Sequence, residues 1–403
     1  MTARGIRPAD ILLPRVESME RWSVIACDQF TENADYWRRV DDYVGGAPST
    51  LRMMLPEAEI GRGDVGERIG RIEETMEKYV REGIFEEHRS AMFYVERGQS
   101  GGLRRRGIVC MLDLMEYDYS PESGSLIRAT EKTVEERIPP RVAIRSGALL
   151  ELPHIVVFID DEKKRVIEAL SRGKSEMKKL YGFDLMENGG HIDGWEISEY
   201  QKQRLLEDVG ELEESTPMLY AVGDGNHSLA AAKAFFENQR SGMSESKWKN
   251  LPSRYALAEI VSLRDEAIVF KSINRALSGA NPDAVLSALA PLCAKGTGNI
   301  NWFAGERRGS FSFSDESALP ARELQDFLDC YVTANGGRID YVHGHGALEK
   351  LCSGENTIGF ELPDSDKERL FSLVIEQGPL PRKTFSVGRA VDKRYYLESR
   401  KIR

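Results

Sequence analysis

Paired cysteines are missing from this chain. Its five cysteines, Cys27, Cys110, Cys293, Cys330 and Cys352, are odd in number and scattered, with no CxxC pair, so neither a disulfide framework nor a zinc knuckle is written into it. Long apolar runs are missing too. None approaches the roughly 18 residues of a membrane span, and the opening MTARGIRPADILLPR lacks the apolar centre of a secretory signal. These absences predict a cytoplasmic protein without a membrane partner. Positive charge is not in excess either: 55 Lys and Arg against 65 Asp and Glu leave a net charge of −10. That balance argues against nucleic acid as a partner, while a local basic pocket stays compatible with it. Internal repeats, low-complexity tracts and basic-helix signals are likewise lacking.

What is present is ordinary globular material, 403 residues of which 41% are hydrophobic, enough for a substantial core. Strand and helix patterns alternate along most of it, which predicts a mixed α/β fold with a mixed sheet covered by helices. Strands are expected at 22–27, 91–97, 107–115, 154–159 and 254–263, and helices at 34–43, 66–81, 162–171 and 196–209. The basic run 104–106 reads as a solvated hairpin loop. From residue 279 the chain changes character, with a Gly-rich linker at 295–299 and an alternating strand at 309–314. The expected division is a main domain over 1–278 and a smaller C-terminal subdomain over 279–403 that packs back on it.

The segment PMLYAVGDGNHSLAAAKAFFEN, 217–238, is the most informative. An apolar run breaks at Gly223-Asp224-Gly225 and an Ala-rich helix follows, the layout of an anion site. The glycines allow positive φ and close backbone approach, and the amides near Asn226, His227 and Ser228 would lie at the positive end of a helix. A carboxylate at Asp224 would repel a phosphate unless a metal ion, a proton or a substrate hydroxyl lay between them. The plainer alternative is a turn and cap. The polar stretch 127–145 adds Arg128, Thr130, Glu131, Lys132, Thr133, Arg137, Arg141 and Arg145, suited to clamping phosphate or carboxylate. Lys383 and Thr384, in a proline-bounded turn, form a smaller candidate of the same kind.

Other motifs fail on their own terms. Gly173-Lys174-Ser175 resembles the end of a P-loop, but Glu168 stands where the first glycine must be. Gly223, Gly225 and Ser228 approximate a dinucleotide fingerprint, yet Asp265 is too far downstream and Glu259 is mid-strand. His343 and His345 could share one face of a strand and a metal, although the neighbouring glycines favour a loop and no metal site is assigned. Cys27, beside Asp28, fits a buried strand cysteine better than a nucleophile. Asp160, Asp161 and Glu162 read as a helix cap rather than a magnesium site.

RPADILLP at the start, WSVIACDQFT, GGAPSTL, TEKTVEER, GDGNHSLAAAK, YVHG and the closing GPLPRKTF together resemble the bacterial and archaeal family called domain of unknown function 1015, in the same order and over nearly the whole chain. Membership implies no established activity. Locally, DGNHSLAAA looks like the D-G-x-H-R signature of ParB-like and sulfiredoxin-like nucleotide-binding proteins, some of which phosphorylate free serine. That resemblance implies that His227 and the amides of 225–228 hold a nucleotide phosphate, with Asp224 near the reacting hydroxyl or its magnesium. Ser228 stands where an arginine is usual, so Arg128, Arg137 or Lys383 would have to replace it. The turn has no cysteine for sulfiredoxin chemistry.

The resulting expectation is a serine kinase-like phosphotransferase acting on a small-molecule substrate, using ATP or ADP and Mg2+. Asp224, His227 and Glu131 are its catalytic candidates; Gly223, Gly225, Asn226, Ser228, Arg128, Arg137, Lys383 and Thr384 would bind phosphate or nucleotide. A non-catalytic regulator that binds a nucleotide or phosphometabolite, and a phosphoester hydrolase, are the alternatives, and a homodimer is allowed.

Overall fold

Alternation along the strands decides which side chains meet which layer. In the computed structural model, which describes residues 3–25, 30, 33–56, 64–99, 101–294, 298–314 and 319–403, that alternation builds a mixed α/β fold. Two compact units are present: Met1–Ile268 with Val374–Gly378 and Gly388–Arg403, and Val269–Leu373 with Pro379–Val387.

The first unit holds a ten-stranded sheet among the described residues. Across it the strands run Lys178–Leu185, Gly190–Glu196, Phe93–Gly98, Arg104–Asp113, Tyr255–Ser262, Val156–Ile159, Tyr220–Asp224, Ile127–Ala129 and Tyr117–Asp118, with Ile6–Arg7 paired to Arg104–Asp113. Ile108, Cys110 and Leu112 join one buried cluster with Ala256, Ala258 and Ile260, while the intervening Val109 and Leu257 join the other. Successive side chains point to opposite faces, so both faces are covered. In Val156–Ile159 every residue is buried, as befits a central strand.

The helix Asn226–Arg240 packs Ala230 and Ala231 against Ile138 of the helix Ile138–Gly147. Small side chains there let two helices approach closely. Pro139 and Pro140 stand in the first turn of the second helix, where a missing N–H costs nothing.

Several sequence expectations shift for physical reasons. Of the expected 22–27 strand, Val24–Ile25 is strand, while Trp22 ends a short helix, Met19–Trp22, whose Ser18 cap accepts the Arg21 N–H. Cys27 and Asp28, and 295–297 of the Gly-rich linker, lie outside the described residues. The 162–171 helix begins only at Ile167, because Asp161 Oδ2 accepts the N–H groups of Arg165 and Val166 at 2.5 and 2.8 Å and holds a turn ahead of it. The 196–209 helix is Glu199–Ser215; residue 196 ends a strand, and the Ser198 hydroxyl caps the helix. The basic run 104–106 is strand rather than loop, and Arg105 is buried because Glu259 on the neighbouring strand accepts from it twice, at 3.1 and 3.2 Å.

The second unit has its own sheet of six strands among the described residues, built around Phe270–Ser278. Arg275 is fully buried there. It donates to Gln325 Oε1 at 2.7 Å and to the Lys383 carbonyl at 3.0 Å, and lies over the Tyr341 ring.

Candidate functional site

Strand direction brings three separated segments to one end of the large sheet. Ile127–Ala129 runs parallel to Tyr220–Asp224, with Ala129 opposite Val222, so the chain leaves both strands on the same side. Val156–Ile159 runs antiparallel to Tyr220–Asp224, with Val156 opposite Asp224. Residues 130–134, 154–155 and 224–228 therefore converge. The Thr130 hydroxyl donates to the Val222 carbonyl at 2.6 Å, and the Val134 N–H donates to His227 Nε2 at 3.2 Å. A nitrogen that accepts a backbone N–H carries no proton of its own, which commits His227 Nε2 to the 130–134 segment. Glu131 belongs to the same segment and is half-buried.

The two glycines act differently. Gly225 has φ +83° as the N-cap of Asn226–Arg240, a left-handed position that glycine occupies at little cost. Gly223 is needed for space: a Cβ there would lie 2.3 Å from Phe158 Cε2, and Phe158 is fully buried. Gly223→Ala is expected to cost about 1–3 kcal/mol through overpacking, measured by urea denaturation; a change below about 0.5 kcal/mol, the range of an ordinary surface substitution, would show that the ring gives way freely.

Asp224 Oδ1 accepts the Gly225 N–H at 2.9 Å, and Oδ2 lies 2.9 Å from Lys393 Nζ. Ser228 Oγ is 3.2 Å from His154 Nε2, whose ring partner Nδ1 is 2.9 Å from the Tyr396 hydroxyl. Two buried polar atoms close by have no hydrogen-bond partner among the described residues, Asn226 Oδ1 and Thr133 Oγ1. Buried polar atoms are rarely left so, and both flank the first turn of the helix. Among the described residues no group of three or more His, Cys, Asp or Glu is placed to hold a metal ion.

The other predicted residues are placed elsewhere. Arg128 donates to the carbonyls of Ser125 and Pro217 at 2.8 and 3.2 Å, which precede the two parallel strands and so lie at their opposite end. Burial lowers its pKa from the ordinary arginine value. Arg137 is exposed in a short turn after the Thr130–Val134 segment. Arg145 pairs with Glu151 at 2.5 Å. Lys383 and Thr384 belong to the second unit, where Thr384 is buried and donates to the Pro381 carbonyl at 2.6 Å. Lys174 of the P-loop lookalike pairs with Glu96 at 2.9 Å. His343 ends a strand and His345 begins a helix, with Nδ1 2.8 Å from Glu361; the Gly344 turn between them, φ +81°, takes them off a common strand face.

His154, Lys393 and Tyr396 are the participants that the sequence reading missed. Lys393 and Tyr396 come from the segment Gly388–Arg403, which is anchored by a buried ionic network. Arg394 lies 3.0 Å from Glu259 and 2.7 Å from Glu398, and Tyr181 donates to Glu398 at 2.7 Å. Arg97 donates to the Gly189 and Val391 carbonyls, both at 2.7 Å, and lies over the Tyr395 ring. Burial, with Arg105 nearby, pushes its pKa down to about 10. For Glu259, burial alone would raise the carboxyl pKa, but Arg105 and Arg394 outweigh it and hold it below the ordinary value.

Comparison with known proteins gives a family without an assigned reaction. No curated protein sequence matches significantly. Among solved structures, a conserved hypothetical protein from Pyrococcus furiosus aligns over 72% of this chain and 90% of its own, at 13% identity and TM-score 0.37. SbnI with a C-terminal truncation, from Staphylococcus aureus, aligns over 70% and 82%, at 7% identity and TM-score 0.38. A free serine kinase in complex with AMP aligns over 73% and 92%, at 12% identity and TM-score 0.39. Similarity this weak transfers no residue roles. No described helix is long and apolar enough to cross a membrane. Residues 6–368 match the family described as protein of unknown function (DUF1015), and the chain belongs to it.

Proposed function

We infer that the protein is a small-molecule phosphotransferase, using a nucleotide to phosphorylate a hydroxyl-bearing metabolite such as serine. The observation that carries this reading is that, around the start of the helix Asn226–Arg240, the Lys393 ammonium pairs with Asp224 and the Ser228 hydroxyl with the His154 imidazole. Phosphoryl transfer needs positioning and charge neutralisation more than covalent chemistry. Free N–H groups at a helix start favour phosphate, and Lys393 supplies the cation that the sequence reading sought in Arg128, Arg137 or Lys383. Asn226 Oδ1 and Thr133 Oγ1 are further groups that a ligand would satisfy. Magnesium arriving with the nucleotide would neutralise phosphate charge, and Asp224 is the carboxylate suited to it, since that ion commonly takes only one or two protein carboxylates.

Phosphorus NMR tests this directly. The protein is mixed with ATP, ADP or pyrophosphate, magnesium, and a pool of serine and related hydroxyl metabolites. A new phosphomonoester resonance is expected. An unchanged spectrum under conditions where the nucleotide binds would leave a ligand-binding regulator, while release of inorganic phosphate alone would point to a hydrolase.

A further inference from the structure

Ser228, His154 and Tyr396 form a hydrogen-bonded chain whose central member faces a hydroxyl at each ring nitrogen. Tyr396 is buried and stands edge-on to the imidazole, with ring centroids 5.3 Å apart and planes at 84°. By contrast, both oxygens of Asp224 are engaged, by the Gly225 N–H and by Lys393, and His227 Nε2 accepts the Val134 N–H. The elements beside the strand that follows His154 also bring up Glu259 from Tyr255–Ser262, Asp224 and His227 from the turn and helix, and Lys393 from the Gly388–Arg403 segment.

We propose that His154 is the proton carrier of this site, with Ser228 as its link to the bound acceptor hydroxyl and Tyr396 as a positioning residue behind it. The proposal rests on the phosphotransferase reading above. A neutral imidazole donates from one nitrogen and accepts at the other. With Nδ1–H donating to Tyr396 Oη, Nε2 accepts the Ser228 O–H. During transfer the acceptor hydroxyl gives its proton to Ser228 Oγ while Ser228 passes its own to His154 Nε2. The acceptor oxygen forms its bond to phosphorus, and the bond from phosphorus to the donor's bridging oxygen breaks, its electron pair leaving with the shortened nucleotide. The imidazolium then donates from both nitrogens and returns its proton to solvent. Nothing is oxidised or reduced, and every group needed is either in the protein or in the two substrates.

The test compares kcat as a function of pH in the wild-type protein with His154→Gln, Tyr396→Phe and Ser228→Ala, alongside nucleotide Kd from calorimetry and thermal melts. His154→Gln is expected to lower kcat about 100-fold, at the modest end for loss of a general base, and to abolish the acid limb of the profile with Kd little changed. Tyr396→Phe, which keeps the ring and so the packing, is expected to displace that limb rather than remove it; Ser228→Ala is expected to lower kcat with Kd unchanged. If His154→Gln fails to fold, the Tyr396→Phe displacement decides. A wild-type enzyme that is active while the variants keep its acid limb and rate overturns this proposal alone. A wild-type protein inert with every donor and acceptor overturns the phosphotransferase reading and this proposal with it.

Discussion

Replacing Glu259 by Ala is expected to destabilise the first unit by about 3–5 kcal/mol, the cost of leaving buried charge without its partner. Glu259 is 2% exposed and lies between Arg105 and Arg394, themselves 5% and 3% exposed. Removing its carboxylate takes the acidic partner from Arg105 and leaves Arg394 with Glu398 alone, 2.7 Å away, in a place where all of these side chains are buried. The carboxylate is closely packed, since a Cβ added at Gly107 would be 2.7 Å from Glu259 Oε1. Urea unfolding followed by tryptophan fluorescence measures it. Glu259→Gln separates charge from shape and adds a pH signature. The folded carboxyl is held below its ordinary pKa, so its contribution is fully present above the unfolded value, about 4.3, and is lost as pH falls through the folded one. The gap between wild type and Glu259→Gln is therefore expected to be constant near neutrality and to close in acid. A loss below about 1 kcal/mol for Glu259→Ala at pH 7, the worth of a mere surface pair, would show that solvent reaches the network.

If the protein is the phosphotransferase proposed above, Asp224→Asn is expected to reduce kcat about 1,000-fold, the upper range for removing one preorganised electrostatic group, while leaving the fold intact. The amide oxygen of Asn can still accept the Gly225 N–H, so the turn survives. What disappears is the negative charge 2.9 Å from Lys393 Nζ. Lys393 then loses its acidic partner, and on the proposed reading a magnesium ion brought by the nucleotide would lose its protein carboxylate. A bound phosphate also loses a repulsive neighbour, so KM for the nucleotide is expected to stay level or fall. Steady-state kinetics with the donor identified by phosphorus NMR reads both parameters. Unchanged kcat would make Asp224 a turn residue and no more.

The glycine turn was legible because its determinants are local: an apolar run, a left-handed position at Gly225, and an Ala-rich helix immediately after. The two-faced sheet was legible for the same reason, since period-two alternation is carried by each strand alone. The partners of the turn were not. His154 reaches Ser228 across 74 residues and Tyr396 reaches His154 across 242, and no periodicity links positions that far apart. The closing stretch 378–403 carries eight cations, and nothing in its pattern distinguishes Lys383, whose carbonyl is held by Arg275 in the second unit, from Lys393, which pairs with Asp224. Arg105 follows the Gly-rich stretch 98–102, which reads as a solvated hairpin loop; the carboxylate that buries it is 154 positions away. The arginine-rich appearance of 127–145 also misled in part. Arg128 lies within the buried strand Ile127–Ala129, and its guanidinium donates to carbonyls at the opposite end.

The first unit is interrupted in sequence by residues 269–387, most of which belong to the second. A ribosome must therefore finish the whole interruption before Lys393 can meet Asp224, or Arg394 can meet Glu259. Until then the nascent sheet carries an incomplete ionic core and a turn without its lysine. Contacts of such long sequence separation form slowly, so the first unit stays incomplete until the segment Gly388–Arg403 docks.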